Sequence, residues 1–404
     1  MQKGYTQVSS SPLTQQGIGD LYGAHLANSY GMAGIGISNG TVRYINNQNP
    51  ALLVYNSIYT YSAGVIGESR RTSNGVDAQK PGSMNLSNIG MSFPIKSGKW
   101  VSSIMLSPYS NVDFQFTEEK IINGITYDSR QKGSQGLAQL EWAHGIRITK
   151  NFNIGAKVKY LFGSIKKESS NVLTGTGVNS QRVPTILDRD AVSDLLFGLG
   201  MQYRYKLTND NYLNFGLIYD LQADVNTNRL QTLETRNTSD IVLAADTLLN
   251  DEKGAMLLPS NLGFGISVGK PLSWLAGVDI RLQQWKDFRN FSNSSENLQN
   301  AITVAVGGEF TPDAGSIDKF FNRVTYRIGA SYERTPYVVE GAGVNDVGIN
   351  FGWSMPVGIS SLDMGFRFGK RGSLSDHEIK ESYFRTQLGM TINDRLWFIK
   401  RKFD

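Results

Sequence analysis

Few side chains in this 404-residue chain could do acid–base chemistry at neutral pH: the histidines are His25, His144 and His377. They fall in a Gly-rich leader, an alternating stretch and a loop stretch, and none stands beside a nucleophile motif. Zero cysteines rule out disulfides, thiol catalysis and thiolate metal sites. No metal spacing, P-loop or dinucleotide fingerprint is present, and Gly31-Met32-Ala33-Gly34-Ile35-Gly36 neither follows a strand nor opens a clear helix. No cofactor, metal or catalytic residue is therefore expected, and no enzyme. The charged residues Glu141, Lys157, Lys159, Asp279, Arg281, Arg323, Arg327, Glu333, Asp363, Arg367 and Arg385 are different: each alternates with apolar neighbours, which puts them on one face. Paired there, they would hold a packed segment by charge-assisted hydrogen bonds, or line a hydrophilic path.

The elements that carry these charges are strands with period-2 alternation. In Arg323–Glu333, Val324, Tyr326, Ile328, Ala330 and Tyr332 share one face, while Arg323, Thr325, Arg327, Gly329, Ser331 and Glu333 share the other. Leu362, Met364, Phe366 and Phe368 alternate with Asp363, Gly365, Arg367 and Gly369 in the same way. Such segments fall at about 56–70, 84–95, 99–117, 133–149, 151–168, 192–207, 211–232, 257–270, 273–290, 299–311, 322–337, 345–357, 360–372 and 380–393. That is about fourteen, an even number, as single-chain bacterial barrels have. Connections alternate between short (96–98, 149–151, 208–210, 270–272, 357–359) and long, the asymmetry of periplasmic turns and external loops. The connection around 313–321 is the longer exception on the short side. The expected fold is all-β: a transmembrane antiparallel β-barrel of about 14 strands with an N-terminal hatch plugging the lumen.

Composition permits this. Aromatic content is 11%, glycine numbers 43, and no apolar run reaches the roughly 18 residues of a membrane helix. Mean hydropathy of −0.27 suits a barrel whose inward residues are polar. Net charge is +5, with the cations scattered along strands, which argues against nucleic acid as a partner. The chain opens Met1-Gln2-Lys3 without an apolar signal core, so either it is cytosolic or its signal peptide has been removed; the strand pattern favours the second and a bacterial outer-membrane location. Trp100, Trp142, Trp274, Trp353 and Trp397 lie near strand ends, where an interfacial aromatic belt would need them.

Residues 1–55 do not alternate and are rich in glycine, so they are read as a plug, with 56–404 as the barrel. Asn49-Pro50-Ala51 closes the plug as a rigid corner, because proline fixes its own φ and biases Asn49 to an extended conformation. In the third strand, Pro108 within Met105-Leu106-Ser107-Pro108-Tyr109-Ser110 cannot donate to the sheet ladder and forces a break or a kink. The long connections at about 169–191 and 233–256 are expected to be external loops. The second holds Ile241, Val242, Leu243, Leu248 and Leu249, apolar residues too dense for a solvated loop. They would line a groove for an acyl chain, or pack onto a neighbouring protein or the barrel rim.

The leader Ser9–Ser38 followed by Asn49-Pro50-Ala51-Leu52-Leu53 resembles the hatch of the FadL/TodX family, outer-membrane channels for long-chain fatty acids and other hydrophobic compounds. Leu258-Pro259-Ser260-Asn261-Leu262-Gly263, Gln284-Trp285-Lys286-Asp287-Phe288 and Tyr326–Pro336 are similar to later strands of that family, in the same order. The tail from Asn345 through Gly369-Lys370-Arg371-Gly372 to Lys400-Arg401-Lys402 looks like the branch found in Bacteroidota. The resemblance implies passive uptake: the external loops capture a hydrophobic small molecule, the hatch shifts, and an opening at Pro108, Tyr109 and Ser110 releases the ligand sideways into outer-membrane lipid. FadL-like relatives also serve as structural or carrier subunits of outer-membrane complexes, so the resemblance implies that alternative as well. Ser38-Asn39-Gly40 is similar to part of a barrel phospholipase signature, but Gly36 stands where that signature needs histidine.

Overall fold

In the computed structural model, residues 11–23, 25–73, 78–79, 82–122, 125–173, 182–237, 239–374 and 379–394 are described. His377, Trp397 and Lys400-Arg401-Lys402 lie outside them. Fourteen antiparallel strands close a barrel: β1 (Tyr59–Ser73), β2 (Gly82–Lys96), β3 (Trp100–Asn111, resumed at Phe114–Ile122), β4 (Ile125–Arg147), β5 (Phe152–Leu173), β6 (Val183–Lys206), β7 (Tyr212–Asp220, resumed at Ala223–Arg236), β8 (Val242–Leu258, resumed at Asn261–Lys270), β9 (Trp274–Gln283), β10 (Ala301–Phe310), β11 (Thr325–Val339), β12 (Ala342–Val357), β13 (Ser360–Gly372) and β14 (Lys380–Asp394). Each pairs with its neighbour in sequence, and β14 pairs with β1 from Asp394↔Tyr59 to Lys380↔Ser73, which closes the seam between the first strand and the last.

Alternation sorts side chains between lipid and lumen as the strand pleat requires. On β6, Leu195, Phe197, Leu199, Met201, Tyr203 and Tyr205 are exposed, while Leu196, Gly198, Gly200 and Gln202 between them are buried. The stripe spans eleven residues from Leu195 to Tyr205, about the length of a tilted membrane-crossing strand. At the short-turn end, an aromatic row crosses four strands in register: Trp274 pairs with Phe310, Phe310 with Tyr326, and Tyr326 with Trp353. This is the arrangement expected where strands meet the lipid–water interface.

On the other side of the membrane, β3 to β8 run on as a six-stranded wall, and two expectations are corrected there. Stretches 183–191 and 242–256, taken from the sequence as loop, are strand, as is 125–132. Along 242–248 both faces meet water, so the period-2 signal disappears while the ladder persists; along 183–187 Val183, Thr185 and Leu187 are buried, but with polar Thr185 inward and apolar Ile186 outward the residue types do not show it. Conversely, β9 ends at Gln283 instead of 290. Trp285–Asp287 form a 3-10 turn that folds Trp285 and Phe288 into an apolar cluster with Leu13, Ile18, Phe114 and Leu298.

Residues 11–23 and 25–55 are hydrogen-bonded to several of the strands. Asp279 (β9) accepts from the amides of Gly36 and Ile37 at 2.9 and 3.0 Å; Asn350 (β12) donates to Tyr30 O at 2.8 Å; Gln387 (β14) donates to His25 O at 3.0 Å; and Ser38 Oγ donates to Ser267 Oγ (β8) at 2.9 Å.

Candidate functional site

Asn49-Pro50-Ala51 begins a 3-10 turn over Pro50–Tyr55, buried from Pro50 to Val54. Asn49 caps it by accepting from the Ala51 amide at 3.0 Å, and its side-chain amide donates to Ile37 O at 2.7 Å and Met201 O at 2.9 Å. Wall and corner approach closely because Gly145, Gly155 and Gly200 stand in register on β4, β5 and β6. A Cβ on Gly155 would lie 2.4 Å from Ala51 N, and one on Gly200 2.2 Å from Asn49 Oδ1. A row of missing side chains thus makes the seat for the corner.

Above this seat the lumen holds a chamber of about 260 Å³. Lys157, Lys159, Arg281, Arg367, Arg371 and Arg385 line it, facing Asp20, Asp220, Glu333 and Asp346, with Tyr22, His25 and Tyr109 on its wall. Asp20, from the N-terminal segment, is its main tether. Its carboxylate meets Arg371 (β13) at 2.8 Å and Arg70 (β1) at 3.2 Å, and accepts from the Tyr337 hydroxyl (β11) at 2.9 Å. Burial disfavours the charge, but the two guanidiniums outweigh it and hold Asp20 below the ordinary carboxylate range. Arg70 also pairs with Glu381 at 2.7 Å, and Arg371 with Asp346 at 3.2 Å. His25 is the counter-case: burial, with Arg281, Arg367 and Arg385 nearby, pushes its pKa well below 6.5 and keeps it neutral, its Nδ1 3.3 Å from Gln48 Nε2.

The wall is incomplete beside this chamber. β2 and β3 pair from Lys96↔Trp100 to Ile89↔Leu106, and there the ladder stops. Beyond it, Gly82–Asn88 pair with β1 alone, and Ser107–Asn111 with β4. Pro108 sits two residues past the last pair, and a register shift between Pro108 and Ser110 leaves Tyr109 as an extra residue. The vacated edge of β3 is taken by the N-terminal segment: Asp20 pairs with Asn111, Leu21 with Ser110, and the Tyr22 amide donates to Tyr109 O at 3.0 Å. Tyr22, Ile66, Ser87, Ser107, Pro108 and Gln387 line a small cavity at the gap, which shares Tyr22, His25 and Arg385 with the chamber.

Most of the charges assigned to the lumen from sequence lie there. Glu141, Asp279, Arg327 and Asp363 are buried, and Arg281, Arg367 and Arg385 border the chamber. Arg327 bonds Glu309 at 2.9 Å, and Arg385 bonds Glu68 at 2.6 Å. Arg323 is a correction: it precedes β11, in the 3-10 turn Phe320–Arg323, with its guanidinium 5.5 Å from the Phe320 ring centre. The strand starts at Thr325, and with Val324 buried the alternation does not carry back to Arg323. Ile241, Val242, Leu243, Leu248 and Leu249 lie on or beside the projecting part of β8, away from the chamber; all but the half-buried Leu249 are exposed. Sequence reasoning missed Asp20 and Tyr22. Asp20 had a signal, being the sole acidic residue in positions 1–55; Tyr22 had none.

The fold is shared with known channels. The chain is similar to the CymD monoaromatic hydrocarbon channel (TM-score 0.59, 13% identity, 93% of this chain and 98% of that one). It is also similar to the P. putida toluene transporter TodX (0.57, 14%, 93% and 100%) and to a Pseudomonas aeruginosa FadL homologue (0.56, 12%, 92% and 98%). None of the curated proteins matches the sequence. The BamG family model matches residues 2–404, and the chain belongs to the BamG family.

Proposed function

We propose that this chain is an outer-membrane channel that passes hydrophobic small molecules from outside into the membrane without energy input. The observation that carries this is the β2–β3 gap at Pro108, occupied by residues 20–22 and bordering the chamber. On this reading residues 1–55 are the hatch, their displacement uncovers the gap, and ligand leaves sideways past Pro108, Tyr109 and Ser110. Cations outnumber anions around the chamber, which suits an amphiphile with an acidic head such as a long-chain fatty acid. Leu21 and Ser110 are Cα partners in a chain without cysteine, so Leu21→Cys with Ser110→Cys locks the segment on oxidation. Fatty-acid uptake into proteoliposomes should stop when the pair is oxidised and return on reduction. Equal uptake in both states would overturn the reading.

A second reading, a non-transporting barrel serving as a structural or carrier subunit of an outer-membrane complex, has its own support. The N-terminal segment is tied to β8, β9, β12 and β14 by the hydrogen bonds described above, all of which displacement would strain or break. Membership of the BamG family fits it too. Gentle detergent extraction from native membranes followed by mass spectrometry separates the two: bound lipid on a monomer supports transport, while stoichiometric protein partners with an empty lumen support the subunit.

A further inference from the structure

The six-stranded wall outside the membrane has two free edges among the described residues. One is the outer part of β3, Phe114–Ile122, which pairs with β4 alone; the other is the outer part of β8 from Val242 to Met256, which pairs with β7 alone, Leu257 beyond it being bridged to Arg289. β9 cannot cover the latter, because its ladder to β8 runs from Lys270↔Trp274 to Asn261↔Gln283 and ends there.

The two edges are built differently. That of β3 carries Glu118, Glu119 and Lys120, with Lys120 paired to Glu118 at 2.9 Å, and such charges discourage further pairing. Along Val242–Leu249 there is one charge, Asp246, and no proline or lysine. Val242, Leu243 and Leu248 are 48, 56 and 51% exposed there. Pairing to β7 is regular from Thr235↔Ala244 to Thr232↔Thr247, between register shifts on either side, so along 244–247 the opposite side presents an in-line row of backbone donors and acceptors. No hydrogen bond to residues 242–249 from any element except β7 is found among the described residues.

We propose that Val242–Leu249 is a docking edge to which an extended segment of a different protein adds as a strand on the outer side of the membrane. A second copy of this chain does not fit. Copies in one membrane are related by an axis along its normal, so their β8 strands run the same way and, being tilted by roughly 35–45°, cross instead of aligning. Backbone pairing provides the affinity in such a complex, and alternate side chains provide the choice of partner. Glu252 stands opposite Arg229, but Asp246 stands opposite Leu233 and makes no ion pair among the described residues, so the incoming strand should alternate apolar residues with at least one cation placed for Asp246. The docking edge lies outside the β2–β3 gap and holds whether or not the channel conducts.

Amide exchange tests it directly, on protein extracted gently from native membranes and on the purified chain. In a strand, neighbouring amides point to opposite sides, so of Ala244 and Ala245 one donates to β7 and the other outward. The outward amides of 242–249 should exchange at least 100-fold more slowly in the native extract than in the purified chain, while those of 114–122 stay unchanged. Proline at the outward position of the pair, Ala244→Pro or Ala245→Pro, should cut partner recovery at least tenfold while the barrel keeps its folded migration in electrophoresis. Equal exchange in the two samples, or full partner recovery with the outward proline, would overturn the proposal. The Leu21–Ser110 lock leaves this edge untouched, so failure here and failure of the transport reading are separate results.

Discussion

The phenol oxygen of Tyr22 accepts a hydrogen bond from Asn85 Nδ2 at 3.2 Å, while the Tyr22 amide bonds to Tyr109 O on the far side of the same gap. One residue of the N-terminal segment therefore bridges β2 and β3 where these strands do not pair with each other. The barrel is closed at that height by a residue that belongs to no wall strand.

Removing the bridge should open the wall. Tyr22→Phe loses one hydrogen bond, about 1 kcal/mol, and should raise the open population about fivefold. Tyr22→Ala also removes the ring and should raise it further. Conductance in planar bilayers reads this; Asn85→Ala should match Tyr22→Phe, and unchanged conductance in all three would show that the gap is closed by other contacts.

The corner and its seat should fail together. Gly200→Ala places a methyl 2.2 Å from Asn49 Oδ1 and should cost about 1–3 kcal/mol, seen as a lower Tm. Gly82→Ala, whose new methyl would come no nearer than 3.8 Å to Glu68 O, is the control and should change little. Asn49→Ala removes the cap and leaves Ile37 O and Met201 O without their donor, about 1–3 kcal/mol for each buried group. Because both variants act on one contact, the double variant should lose less than the sum.

His25 makes the packing of the segment sensitive to mild acid. Its folded pKa lies below 6.5, so an unfolded or displaced segment binds a proton more readily than the packed one. The stabilising contribution is complete above pH 6.5 and declines as pH falls through that value toward the folded pKa. Protection factors of the amides over residues 25–36, with the intrinsic pH dependence of exchange divided out, should fall from pH 7.5 to 5.5, and His25→Gln should flatten the profile.

Asp20 responds in a more acidic window. Its folded pKa is depressed, so its contribution is present above pH 3.8 and is lost as pH falls through the lower, folded value. Asp20→Asn should loosen the segment at neutral pH by about 1–3 kcal/mol, since Arg70 and Arg371 keep Glu381 and Asp346 as partners. Protease sensitivity of the leader reads it. Arg371→Met with Asp20→Asn should recover part of the loss.

The amino-acid sequence alone determined the barrel, its strand count, its short-turn end and most of the inward charges. Inside the bilayer every second side chain must face lipid, and that requirement is written locally in residues such as Leu195 to Tyr205. It could not mark the outer strand 242–256, where water on both faces of 242–248 removes the alternation, or 183–191, where a buried polar Thr185 and an exposed apolar Ile186 invert the pattern. Nor could it mark the seat for Asn49-Pro50-Ala51, because Gly145, Gly155 and Gly200 become one surface only when three strands fall into register. Asp20, Arg70 and Arg371 are likewise far apart in the chain, and closure of the barrel brings them together. Which strand edge is vacated, and that Tyr22 bridges it, followed from tertiary packing: the ladder ends near Pro108 for a local reason, but what fills the space depends on how the whole N-terminal segment lies against the wall.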